Sequence, residues 1–115
     1  MSNVLPIEEL ITILASYNLE PYPLTKKQGV CYSYVPFSNN GTIEQAQFEI
    51  TIVNEDLLAC YKAKAEIDKL LITLGDESLT HTITSCTQSG GGQYRDNDLG
   101  VYKVQANYAI TARLY

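Results

Sequence analysis

Tyr102-Lys103-Val104-Gln105-Ala106-Asn107-Tyr108-Ala109-Ile110-Thr111-Ala112-Arg113-Leu114-Tyr115 closes the chain and carries its cleanest alternation. Tyr102, Val104, Ala106, Tyr108, Ile110, Ala112 and Leu114 share one parity. Lys103, Gln105, Asn107, Thr111 and Arg113 share the other, interrupted only by Ala109 and Tyr115. A period of two describes a strand with one buried face. At about 3.4 Å per residue, fourteen residues reach about 48 Å. A compact domain near 100 residues has a radius of gyration of only about 13 Å. The expectation is therefore a strand that bends at a bulge or overhangs its own domain. Unpaired edges on an overhanging strand are docking surfaces for another subunit.

Working outward, Gly29 to Val35 reads as a strand stopped by Pro36. Ser38-Asn39-Asn40-Gly41 is a turn signal. Ala46, Phe48, Ile50 and Ile52 then alternate with Gln45, Gln47, Glu49 and Thr51, predicting an antiparallel hairpin. A third, threonine-rich strand is expected over about Leu79 to Thr87. The following Gln88 to Asp98, with Gly90-Gly91-Gly92 at its centre, reads as a long polar loop that orders only on contact with a partner.

Two helices complete the pattern. Pro6 opens the first, Glu8 and Glu9 oppose the positive end of its dipole, and Ile7, Leu10, Ile11 and Leu14 form its stripe up to about Tyr17. Pro21 and Pro23 force an extended connection after it. Asn54 is read as the cap of the second helix, with Glu55 and Asp56 in its first turn. Its stripe is Cys60, Ala63, Ile67, Leu70, Leu71 and Leu74, and Gly75 ends it. Lys62, Lys64, Glu66, Asp68 and Lys69 cover the solvent side. The predicted architecture is α+β, in the order α-β-β-α-β-β. Two helices lie on one face of a four-stranded, mainly antiparallel sheet in a single domain over residues 1–115.

Composition narrows the function. The net charge is −5 and no Lys/Arg cluster occurs, so free nucleic acid is not the expected main partner. Cys31, Cys60 and Cys86 are odd in number and widely spaced, which predicts free thiols in a reducing compartment. No apolar run is long enough to span a bilayer. The nine tyrosines read first as strand formers, since Tyr32, Tyr34, Tyr102, Tyr108 and Tyr115 sit in expected strands, and second as residues of half-wet subunit interfaces. His81 is the only histidine and has no cysteine near it in sequence. Ser89-Gly90-Gly91-Gly92 lacks the lysine and following helix of a phosphate loop, and Asp96-Asn97-Asp98 lacks the later ligands of a calcium loop. No catalytic, metal-binding or cofactor-binding residue is expected, and the chain is read as a non-enzyme.

The element order, the strand Gln45 to Val53, the helix segment Ala63 to Leu71 and the closing strand from Gly100 together resemble the small tail terminator proteins of long-tailed bacteriophages. These are also called tail completion or minor capsid proteins. The resemblance covers nearly the whole chain. It implies a homo-oligomeric ring, usually a hexamer, that caps the tail tube protein, ends tube growth and offers a surface to the head connector proteins. It also implies that DNA passes through the channel without specific binding, and a place in the virion at the head–tail interface after assembly in the host cytoplasm. No cofactor and no membrane is involved. The candidate subunit or partner contacts are Gly90, Gly91, Gly92, Tyr94, Arg95, Asp96, Asp98, Arg113 and Tyr115. The alternatives are a head completion or connector protein of the same particle, or a small intracellular ligand-binding domain.

Overall fold

A computed structural model of the chain describes residues 5–73 and 77–114. The order is helix α1 (Pro6–Ile13), a 3-10 turn (Ala15–Tyr17), strands β1 (Leu19–Pro21), β2 (Gly29–Asn39) and β3 (Ile43–Asn54), helix α2 (Leu57–Leu71), and strands β4 (Ile83–Asp96) and β5 (Val101–Arg113). The strands form one sheet ordered β1-β2-β3-β5-β4. The expectation of four mainly antiparallel strands is thus corrected to a five-stranded mixed sheet, still within an α+β fold. The added strand is β1, which pairs parallel with Val30, Cys31 and Tyr32 of β2. The extended segment that the prolines impose supplies it.

β5 keeps the alternation that its sequence shows. Val104, Ala106, Tyr108, Ile110 and Ala112 are buried, while Lys103, Gln105, Asn107 and Thr111 are half-buried on the other face. It does not overhang. Its register runs unbroken against β3 from Ile43↔Arg113 to Asn54↔Tyr102. On its other side it pairs with β4 from Ile83↔Ala112 to Asp96↔Val101. The molecule accommodates the long strand by being long itself, 45 × 25 × 23 Å. The expected unpaired edges on the last strand are therefore absent, because β5 lies inside the sheet.

Both helices pack on one face, in a core where Leu10 and Leu14 of α1 meet Cys60, Ile67 and Leu71 of α2 over Phe48, Ile50, Ile52, Val104, Tyr108 and Ile110. Tyr32 and Tyr34 tilt against Phe48, with ring centroids 6.1 and 6.4 Å away. The Tyr108 hydroxyl donates to Asp68, and Lys64 Nζ bonds the second oxygen of that carboxylate at 2.8 Å. Asp68 is therefore a half-buried acceptor that ties α2 to β5, and does not belong to the solvent side as expected. On the opposite face a smaller cluster, Leu24, Cys31, Val53 and Val101, sits under the connection from β1 to β2.

Several local expectations shift. Leu70 is 42 % exposed, whereas Ile67 and Leu71 are fully buried; Ile11 is half-buried. Asp56, not Asn54, caps α2 by accepting from Leu58 N at 3.0 Å, and Asn54 instead accepts from Asp56 N at 2.9 Å. β2 passes Pro36 through a register shift and continues to Asn39. α1 ends at Ile13, and Asn18 at φ 52° closes the 3-10 turn after it. The third strand starts at Ile83, so exposed His81 precedes it. Leu74, Gly75 and Tyr115 lie outside the described residues. All three cysteines are free and buried. Burial raises each thiol, Cys86 to about 12.

Glu9 does more than face the α1 dipole. Its carboxylate accepts from the hydroxyls of Thr80 and Thr82 and from Thr82 N, fixing α1 to the segment before β4. Desolvation by burial acts to raise its pKa, but the hydrogen bonds from Thr80 and Thr82 outweigh it and hold the carboxyl below its ordinary value.

Two outcomes follow from this packing. Ile67→Ala should lose about 2–5 kcal/mol in chemical denaturation, and Leu70→Ala less than about 0.5; similar losses would mean the register of α2 is wrong. The Glu9 contribution is full above the unfolded carboxyl value, about 4.3, and disappears as pH falls through the lower folded value. Glu9→Gln should therefore flatten the acid limb of a urea-midpoint-against-pH curve, and an unchanged limb would discount the contact.

Candidate assembly interface

Most of the residues singled out from sequence fall on the distal half of β4. Gly90, Gly91, Gly92, Tyr94, Arg95 and Asp96 are not in a loop but in the ladder with β5, opposite Asn107, Ala106, Gln105, Lys103, Tyr102 and Val101. The expected disordered segment Gln88 to Asp98 is thus corrected to a strand followed by a tight turn. The reason is that β5 supplies a complete row of backbone partners, which a glycine run accepts without needing buried side chains. Thr87 to Arg95 are all exposed.

Side chains brace this strand on both faces. Arg95 lies over the Tyr102 ring at 4.9 Å, and Lys103 lies 5.8 Å from the Tyr94 ring. Asp96 accepts from Asp98 N at 3.0 Å and Leu99 N at 3.1 Å, and pairs with Lys103 Nζ at 3.2 Å. The Leu99 N–H, then Lys103, hold its carboxyl below the usual range. Gly100, at φ 69°, completes the turn. Asp98 itself is exposed in this turn. Arg113 is at the other end of β5, opposite Ile43, with its N–H on Thr82 O at 2.7 Å. The structure therefore groups seven of the nine candidates, separates Arg113 from them, and leaves Tyr115 outside the described residues.

Gly90, at φ 156°, holds a conformation that L side chains rarely adopt, and Gly91 is the glycine constrained by close approach. A Cβ there would stand 2.3 Å from the Gln105 carbonyl oxygen, whereas one on Gly92 would meet nothing within 4 Å. Between this stretch and α2 lies an open groove of about 480 Å³, bordered by Tyr61, Lys64 and Gln93. The Tyr61 hydroxyl reaches the Gln93 side chain across it.

A second free edge lies on the opposite side of the sheet, and its sequence gave no sign of this. β1 covers β2 only as far as Tyr32. Among the described residues no strand lies beyond β2 from Ser33 to Asn39, where Val35 and Phe37 are 49 % and 63 % exposed. The helix-free face between the two edges is polar, with Gln47 bonded to Glu49 and Gln105 to Asn107. An open cleft of about 660 Å³ sits by the 3-10 turn and β1. Its charged lining residues Glu20 and Lys26 are paired with each other. Among the described residues no group of three or more metal-ligating side chains converges.

No family model and no curated protein matches the sequence. Nine chains among solved structures match the fold. One is a chain from the virion of a native gene transfer agent particle, with a TM-score of 0.53 at 10 % identity. The match covers 90 % of this chain and 84 % of that one. At such identity the likeness concerns the fold.

Gly91→Ala should push β4 off β5 and cost about 1–3 kcal/mol, with faster amide exchange from Gly90 to Tyr94. Gly92→Ala should be neutral or slightly stabilising. Equal behaviour of the two variants would refute the close approach at Gln105.

Proposed function

We propose that this chain is a structural component of a virion, and within it a tail terminator: a ring subunit that caps the tail tube and receives the head connector. The fold shared over 90 % of its length with a chain from a gene transfer agent virion carries the virion part of this reading. The terminator part rests on the sequence resemblance. Two features of the molecule support a ring. Its sheet ends in two different flanks, β4 and β2, as a head-to-tail contact requires. Its helix-free face mixes amides with few charges, Glu49, Lys103 and Arg113 among them, and does not concentrate Lys or Arg. Such a surface lets DNA pass without holding it. In this reading the chain has no catalytic role and no cofactor. It partners itself, the tail tube protein and head connector proteins, and it is assembled in the host cytoplasm.

Disruption of the gene in the particle that carries it, followed by electron microscopy, tests the proposal. The expected result is tails of uncontrolled length that do not join heads. Tails of normal length beside unjoined heads would favour the head connector role instead. Normal, head-attached tails would overturn both.

A further inference from the structure

The geometry points to a defined subunit contact: the distal edge of β4, Thr87 to Tyr94, pairs antiparallel with the free edge of β2, Ser33 to Asn39, of a second copy of this chain. The inference deepens the ring reading and rests on it for the number of copies, but not for the contact itself.

Charge is the first argument. Charged residues make up 18 % of the chain, yet β2 has none in Gly29–Asn39 and β4 has none from Ile83 to Tyr94. The interior strands carry them instead: Glu44 and Glu49 on β3, Lys103 and Arg113 on β5. Soluble proteins guard open edges with charge, lysine above all. Here the arrangement is reversed, and both open edges can be desolvated without stranding a charge.

The free lengths are the second argument. The proximal part of β4 is already occupied: Thr73 N donates to Cys86 O, and Cys86 N donates to the Thr73 hydroxyl, both at 2.9 Å. Leu79 N and Thr80 N both reach Ile83 O. Among the described residues, the open run begins at Thr87 and stretches towards the Asp96–Gly100 turn. On β2 the run covered by β1 lies at the Gly29 end, so the open run stretches towards Asn39. The two runs are seven and eight residues long, about 24–27 Å.

Direction is the third. β2 is antiparallel to β3, β3 to β5, and β5 to β4, so β2 runs antiparallel to β4. A second copy placed beside the first with its strands in the same sense brings β2 to β4 as an antiparallel pair. The open runs lie towards opposite ends of the sheet, so each copy is offset along the strands from the last. A constant offset of this kind is what a tilted, closed sheet needs. Val35 and Phe37, the exposed apolar residues of β2, are covered by the contact.

Disulfide trapping tests this directly. Val35→Cys protein is mixed with Gly92→Cys, Tyr94→Cys or Thr87→Cys protein under oxidised glutathione. These positions share the helix-free face, opposite Gln47, Gln105, Lys103 and Ala109 respectively. The three native cysteines are buried and do not compete. Thermal melts confirm that each variant is folded. Trapping accumulates even a brief pairing, so monomeric behaviour in dilute solution does not conceal it. At least one acceptor should link to Val35→Cys about tenfold or more above a Lys62→Cys control on α2, as expected for a high local concentration. Yields at or below that control for all three acceptors would overturn the edge contact. If rings still form on tail tubes in that case, the terminator reading survives without it. If the link forms but the linked protein neither closes nor caps a tube, the contact stands and the terminator reading falls.

Discussion

The fold depends on β5 having a backbone partner along both sides for its whole length. Twelve register pairs join it to β3 and twelve join it to β4. This double ladder keeps a glycine-rich strand in place that has almost no buried side chain beyond Cys86. It also fixes which face the helices cover, since Val104, Tyr108 and Ile110 can meet Ile67 and Leu71 only from one side. With β5 inside, β4 becomes the outermost strand on one side. On the other, a three-residue β1 leaves most of β2 uncovered. The same ladder that satisfies the core thus determines where the molecule is left open.

Burial explains what was legible in the sequence. β3 and β5 are buried on one face, so their period of two is written in their residues and reads correctly. α2 reads well for the same reason, up to its flank. Leu70 stands about 100° round the helix from Leu71, so it falls outside the contact with the sheet although it extends the apolar stripe. The distal half of β4 is exposed on both faces and has no pattern to read. Its strand character comes from β5, not from its own side chains. β1 escaped because three residues ending in proline carry no periodicity at all. Glu9 was legible as a helix-start charge, but its bonds to Thr80 and Thr82 bridge more than seventy positions, and no local signal announces them.

The candidate interface was half legible by a similar logic. The glycine run drew attention for the mobility it implied, and the structure shows the opposite: an ordered edge with Gly91 pressed against the Gln105 carbonyl. The residues lie together on one strand, in the ladder with β5 and not in a loop. A loop that folds on its partner must lose conformational entropy at the moment of contact. A preformed edge has already lost it, and so offers a ready ladder at lower cost. The β2 edge was missed because Pro36 read as the end of a strand, whereas a register shift carries the chain past it.

A pair of uncharged edges is a hazard in an isolated chain, since either one can pair with a stray strand. The molecule limits that hazard by geometry instead of charge. β1, with Glu20 paired to Lys26, closes the Gly29 end of β2. Pro36 removes one donor from what remains, and the register shift beside it distorts the row. On β4, Thr73 closes the proximal part and a second shift lies between Gln88 and Gly90. Each edge is left open over only part of its length, and the two open parts lie towards opposite ends. Two copies brought together in register match open backbone only over Ser33 to Val35 and Thr87 to Gly90, and elsewhere set covered backbone against open. An offset copy matches the two open runs along their length. Partial covering in this form does what edge lysines do elsewhere, rejecting most partners, while leaving one arrangement of identical chains that satisfies both edges.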